Sequence, residues 1–341
     1  MTLQISHIFK MVSKIGCFIL SLSILASCDV EIPEQEIVYD SLLPLNPQSE
    51  YIAVFGDIQY YTQSDPNAEI YRTSVEWLKS QSSKAHFDCI LHTGDITQTN
   101  LISQYERFRK VTELVAYDVP FFSAIGDHDY SWEDGIHIDN RYSTLFNDYM
   151  NFPSSSQILE RFEEGRMENI IVKNTICNER YDLLILEFGP RKEVVEWANK
   201  YVREHPDVKF ILINHEYLEK GGQRRKSALK CRIRLRNTTF TTPEELWNTL
   251  IYPNDNIAVV LCGHVGGLYA VTYTSNIKGR EVPQIQHNIQ SSSYRYGNWI
   301  MLWEFQPGND STFLMIVNAD TQEFYNDSTT LCKFKVYNVM I

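Results

Sequence analysis

No two of the seven cysteines stand as a CxxC pair, which leaves a zinc ribbon or a thioredoxin-like redox site without support. Basic residues are scarce as well. The 31 Lys and Arg face 43 Asp and Glu, and a general nucleic-acid binder is usually basic, so that class is disfavoured. No internal repeat and no low-complexity tract occurs, and 43% hydrophobic with 22% charged residues describes a globular chain rather than a disordered or collagen-like one. Acidic residues are missing from positions 1–27, where Lys10 and Lys14 precede an apolar run from Ile15 to Ala26 that is short for a membrane-spanning helix.

That stretch, 1–27, reads as a signal peptide. It ends in Leu25-Ala26-Ser27-Cys28, which resembles the bacterial lipobox, so Cys28 is the expected site of lipidation and the expected first residue of the mature chain. Several acyl chains on one cysteine bury enough methylene groups for stable anchoring. The expectation is an exported protein, lipid-anchored to a bacterial membrane and facing outward, with periplasm and cell surface both open. Residues 28–50, acidic at first and then broken by Pro33, Pro44 and Pro47, read as an extended tether. Without Lys10 and Lys14, 29 basic residues remain against 43 acidic ones, and the net charge moves from −12 to −14.

From residue 51 onward, short apolar runs alternate with longer amphipathic ones. Tyr51 to Phe55, Cys89 to His92, Pro120 to Ile125, Leu183 to Phe188, Lys209 to Ile213 and Ile257 to Leu261 predict buried strands. Ala68 to Ser83, Ser103 to Tyr117, Glu193 to Arg203 and Pro243 to Leu250 predict helices between them, and the alternation argues an α/β domain over 51–341. After Leu268 the helical signal stops, and Leu268 to Thr274, Trp299 to Phe305 and Thr312 to Asn318 suggest antiparallel strands. Two inserts interrupt the pattern, one at about 130–168 and one at 219–240, the latter carrying Arg224, Arg225, Lys226 and five further basic residues in an otherwise acidic chain. Cys89 and Cys262, inside strand-like runs, are expected to be buried small hydrophobes.

The residues that promise chemistry stand where the apolar strands end. Gly56-Asp57-Ile58-Gln59 follows the first, Gly94-Asp95 the second and Gly126-Asp127-His128-Asp129 the third; Asn214-His215 and Gly263-His264 follow two later ones. The carboxyl ends of strands in an α/β sheet are where ligands bind, and five such sites built from Asp and His form a metal-ligand set. One GD or GH dipeptide is merely a turn glycine beside a polar cap. Five in order are hard to obtain by chance.

The order and spacing resemble the calcineurin-like metallophosphoesterases, whose signature runs D-x-H, G-D, G-N-H-[DE], H and G-H-x-H, over about residues 51–318. The resemblance implies a four-layered α/β/β/α sandwich, two mixed sheets flanked by helices, holding two divalent metal ions (Mn, Mg, Fe or Zn) bridged by an aspartate and a hydroxide. It implies that Asp95 bridges, that Asp57 and Gln59 serve the first metal, and that Asp127, His215 and His264 complete the second. His128 would protonate the leaving group of a phosphate monoester or diester, with Asp129 orienting its ring. The implied substrate is a phosphorylated small molecule or other phosphoester.

Three positions depart from that signature. Gln59 offers a neutral oxygen where a histidine is usual, and Gly266 offers no ligand where the second histidine of G-H-x-H would stand. An oxygen-rich first position favours a hard ion such as Mg²⁺ or Mn²⁺. Asp127 replaces the usual Asn and, when ionised, cannot donate to phosphate. With Asp57, Asp95 and a hydroxide it would cancel the charge of two divalent ions, weakening attraction for a phosphate dianion. Arg224, Arg225 and Lys226 are therefore candidate substrate-binding residues that could restore it. The alternative is a catalytically weakened surface binding protein on the same scaffold.

Overall fold

The computed structural model describes residues 44–130, 132–133, 136–137, 141, 144–226, 239–265, 267–290, 297–309, 311–325 and 332–335. The expected signal peptide, Cys28, most of the tether, residues 227–238 of the basic insert and Gly266 lie outside them. Cys89, Cys177 and Cys262 are free thiols, the first and last fully buried. No described helix is long and apolar enough to cross a membrane.

In chain order the first half holds β1 (Glu50–Phe55), α1 (Asp65–Ser82), β2 (His86–His92), α2 (Ile102–Ala116), β3 (Phe121–Ser123), β4 (Trp132–Glu133), β5 (Ile136–His137), α3 (Phe146–Tyr149), β6 (Ile158–Arg161), β7 (Ile170–Val172), β8 (Thr175–Ile176) and β9 (Glu179–Leu186). The second half holds α4 (Lys192–Glu204), β10 (Lys209–Asn214), α5 (Pro243–Leu246), β11 (Ile257–Cys262), β12 (Tyr269–Ser275), β13 (Glu281–His287), β14 (Trp299–Phe305), β15 (Ser311–Asn318) and β16 (Cys332–Lys335). One mixed sheet runs β16-β15-β14-β1-β2-β3 and the other β12-β13-β11-β10-β9-β7-β6. In the first, β1, β2 and β3 are parallel and β14 and β15 return antiparallel. In the second, β9, β10, β11 and β13 are parallel.

The burial pattern separates the layers. Leu183, Ile185, Ile211, Ile213, Val259 and Leu261 share one core with β1, β2, β14, α1 and α2. Their neighbours in sequence, Leu184, Leu186, Phe210, Leu212, Val260 and Cys262, point the other way and pack on α4 and α5. Alternation along a strand sends successive side chains to opposite faces, so the second sheet is buried on both and the molecule is layered helix, sheet, sheet, helix.

Helix α1 begins three residues before the run that suggested it, because Ser64 accepts from the Asn67 N–H as N-cap and Pro66 suits the first turn. The segment expected as one helix from Pro243 divides into α5, opened by a Thr242–Glu245 capping box, and a π-helical turn over Trp247–Ile251. Strand β13 has no counterpart in the sequence reading. Gln284 and Gln286 lie buried within it and Pro283 breaks its pattern; Gln284 is satisfied by Thr274 and by Arg224.

The first insert closes over the end of β9 through a buried cation. Arg141 donates to the carbonyls of Phe188 (2.9 Å), Gly189 (2.7 Å) and Thr239 (3.2 Å), and stands 3.3 Å from Glu187, which Arg191 also pairs. Arg141→Ala should cost about 3 kcal/mol, the lower end for a broken buried pair, because Arg191 still neutralises Glu187. The check is a lower urea midpoint at unchanged m-value.

Candidate metal centre

The parallel strands end at the same edge, and the chain turns out of each with a polar residue. Strand β1 delivers Asp57 and Gln59, β2 delivers Asp95, β3 leads into the 3-10 turn Asp127–Asp129, β10 leads to His215 and β11 to His264. Three of these strands belong to the first sheet and two to the second, so the cluster forms where the two edges meet. Close approach demands glycine before the ligands. A Cβ on Gly126 would stand 2.2 Å from the Asp95 nitrogen, and one on Gly263 would stand 2.3 Å from the Asp57 carboxylate. Asp95 (φ 59°) and His264 (φ 68°) themselves occupy the left-handed region, a strain that persists at sites where surrounding structure enforces it.

Asp95, Asp127, His215 and His264 each present one ligand atom, all within 4.8 Å of one another. His215 Nε2 is 3.3 Å from Asp95 and 3.4 Å from Asp127, and His264 Nδ1 is 3.1 Å from Asp127. The other nitrogen of His215 lies 2.8 Å from the Thr93 carbonyl, which fixes Nδ1 as the N–H and turns Nε2 toward the carboxylates. Gln59 donates to Asp95 (3.0 Å), while Asp57 accepts from the His264 backbone N–H (3.1 Å) and from the Asn288 amide (2.7 Å).

These residues fit a cation. Gln59 Oε1, Asp127 Oδ1 and His215 Nε2 are buried without a hydrogen-bond partner. Each carries a lone pair, and leaving such a group unmatched costs about 1–3 kcal/mol. Without an ion, protons hold the cluster together. Burial opposes a charged His215, but Asp95 and the neighbouring carboxylates push its pKa well above the usual value. Burial likewise opposes ionised Asp95 and Asp127, yet His215 and His128 hold Asp95, and His264, His215 and His128 hold Asp127, below the usual carboxylate range. Asp57, for which burial outweighs His215, is pushed up to about 7. A cation replaces such protons, because metal ligands must be deprotonated.

The remaining expected site residues are distributed differently. His128 lies beside the cluster, its backbone N–H donating to Asp95 (3.0 Å) and its ring Nδ1 2.9 Å from the Gln98 carbonyl. Asp129, the expected partner of that ring, has a carboxylate that instead accepts from the backbone of Gly126, Ile96 and Thr97 and from the Thr97 hydroxyl. Three backbone N–H groups outcompete one imidazole, so Asp129 shapes the turn and Gln98 orients the ring. Arg224 faces away: it pairs with Glu244 and lies over Trp247. Arg225 reaches the centre, its guanidinium bound to Glu216 and 3.4 Å from His264 Nε2. Lys226 is exposed.

Sequence reasoning missed Asn288 and Glu216. Asn288 follows β13, the strand with no clear pattern, and nothing local marks it as a partner of Asp57. Glu216 directly follows His215 in sequence, but its place on Arg225 and 4.0 Å from His264 Nε2 depends on the fold of the chain.

Residues 51–267 match the family model described as calcineurin-like phosphoesterase. The chain is 23% identical over 303 residues to the uncharacterized protein YvnB of Bacillus subtilis, covering 86% of this chain and 22% of that protein. It is 24% identical over 195 residues to the probable glycerophosphodiester phosphodiesterase GpdQ of Arcobacter nitrofigilis, covering 53% of this chain and 62% of that one. The chain thus spans less than two thirds of either relative. Among solved structures, a 5′-nucleotidase precursor of Thermus thermophilus aligns over 84% of this chain and 54% of its own at 14% identity and a TM-score of 0.44.

Proposed function

Since this chain belongs to the calcineurin-like phosphoesterase family, we propose that it hydrolyses a phosphate monoester or diester with the help of two divalent ions. The observation that carries this reading is the buried group Asp95, Asp127, His215 and His264 within 4.8 Å. These four would hold one ion, and Asp57, Gln59 through Oε1, and Asp95 would hold the other. When bound, such ions lower the pKa of water and neutralise phosphoryl oxygens. His128 supplies the proton to the leaving oxygen. Gln98 secures its Nδ1–H, proton transfer runs through Nε2, and Asp95 and Asp127 raise its pKa against the effect of burial. Arg225, matched by Glu216 and Glu219, braces His264 from behind. The similarity to a protein named as a glycerophosphodiester phosphodiesterase supports testing diesters beside monoesters.

The test is hydrolysis of aryl phosphate mono- and diesters with added Mn²⁺, Mg²⁺, Zn²⁺ or Fe²⁺. Metal-dependent turnover of either class supports the proposal. Binding of the ions with no turnover of any ester would favour the weakened binding protein.

The two positions should differ in affinity. The first has no imidazole among Asp57, Gln59 and Asp95, and Asp57 is already committed to Asn288 and the His264 N–H. The second combines two carboxylates with two imidazoles, a set that holds transition ions better. Purified protein should carry about one tightly held ion per chain, counted by elemental analysis, and a second should exchange readily.

We also propose anchoring through acylated Cys28, the residue that ends the apolar run Ile15 to Ala26. Cys28→Ser should release soluble protein or leave unprocessed precursor in cell fractionation. Normal processing and membrane retention of that variant would refute it.

A further inference from the structure

Strands β1 and β2 carry a second polar cluster at their other ends. Glu50 and His86 are cross-strand partners at the start of the pair, and Asp88 is the extra residue of a bulge, since Tyr51 faces Phe87 and Ile52 faces Cys89. A bulge re-aims a side chain out of its regular face. Glu50, His86 and Asp88 each offer a ligand atom within 4.8 Å of the others, with His86 Nε2 3.2 Å from Asp88 Oδ1. The cluster lies about 20 Å from the catalytic ends, the length of β1 at about 3.3 Å per residue.

The Asp88 side chain is only 4% exposed, and its Oδ2 is buried with no hydrogen-bond partner. The Glu50 carboxylate stands beside it and accepts the Cys177 N–H from the β8–β9 turn. Two carboxylates are acceptors only when both are ionised, so the pair calls for either a shared proton or a cation between them. Burial and then Glu50 push the Asp88 pKa up to about 8, and burial followed by Glu50, Asp88 and Glu179 pushes the Cys177 thiol up to about 11.

We propose that Glu50, His86 and Asp88 form a structural site for a divalent transition ion of the zinc type, clamping the entry of the domain where β1, β2 and the β8–β9 turn meet. Two carboxylates balance the charge of such an ion, and an imidazole favours it over Mg²⁺ or Ca²⁺. His86, 65% exposed, leaves the ion a route from solvent.

Equilibrium dialysis of the full chain against Zn²⁺ tests this without reference to phosphoesterase activity. The unaltered protein should bind one Zn²⁺ more than His86→Ala or Asp88→Asn, with affinity at that position weakened about tenfold or more, the least that even residues supporting a ligand contribute. His86→Ala alters an exposed side chain and Asp88→Asn keeps the shape, so both should fold, as circular dichroism would verify. Equal zinc counts in all three proteins would overturn the proposal and assign the pocket to a shared proton. Loss in His86→Ala but not in Asp88→Asn would reduce it to one exposed histidine and overturn it equally.

Discussion

His215→Ala is expected to lower turnover of an aryl phosphate ester by about 10²–10³-fold, the equivalent of the several kcal/mol that a polarising cation contributes to a transition state. The side chain is fully buried between the two sheets, with one nitrogen on the Thr93 carbonyl and the other facing Asp95 and Asp127. Its loss removes an imidazole from the set of four and takes from Asp95 and Asp127 a partner that stands 3.3 and 3.4 Å from them. The tightly held ion should therefore be lost along with activity, and excess Mn²⁺ should restore only part of it. A variant that kept both its full ion content and its turnover would show that His215 is not a ligand.

His128→Ala should lower turnover by about 10²–10⁴-fold for an alkyl phosphate ester, the usual contribution of a general acid. The same change should matter much less for a nitrophenyl ester, whose leaving group departs without a proton. That dependence on leaving group separates a proton donor from a residue that merely props the site open. Ion content should stay unchanged, because the His128 ring contacts the Gln98 carbonyl and it is the backbone N–H that donates to Asp95. An equal loss for both esters would remove His128 from the acid role. Asp129→Asn should behave differently again. Its carboxylate holds three backbone N–H groups of the Asp95 and Asp127 loops, so the substitution should disturb the turn as a whole.

Much of the scaffold was legible because its strands are buried on both faces. Ile211 to Ile213 and Val259 to Leu261 read as unbroken apolar runs for that reason, and each was followed by its glycine or asparagine and its histidine. Strand β13 was not legible, since two of its buried positions are glutamines whose amides find partners only in the folded chain. The split of the expected Pro243–Leu250 helix had no local signal either: its residues suit an α-helix throughout, and the π turn depends on packing.

By itself the sequence determined which residues could be ligands and in what order they arrive, because an apolar run, a turn and a polar residue are consecutive in the chain and each strand must end. Only the tertiary structure decided what each of those residues does once there. It brought the ends of two sheets together, gave the His128 ring to Gln98 rather than Asp129, turned Arg224 away onto Trp247 while keeping Arg225 at His264, and set Asn288 on Asp57. Those choices join residues tens to hundreds of positions apart. They follow from which buried donors and acceptors lie close enough to satisfy one another, and no local pattern in the chain encodes that proximity.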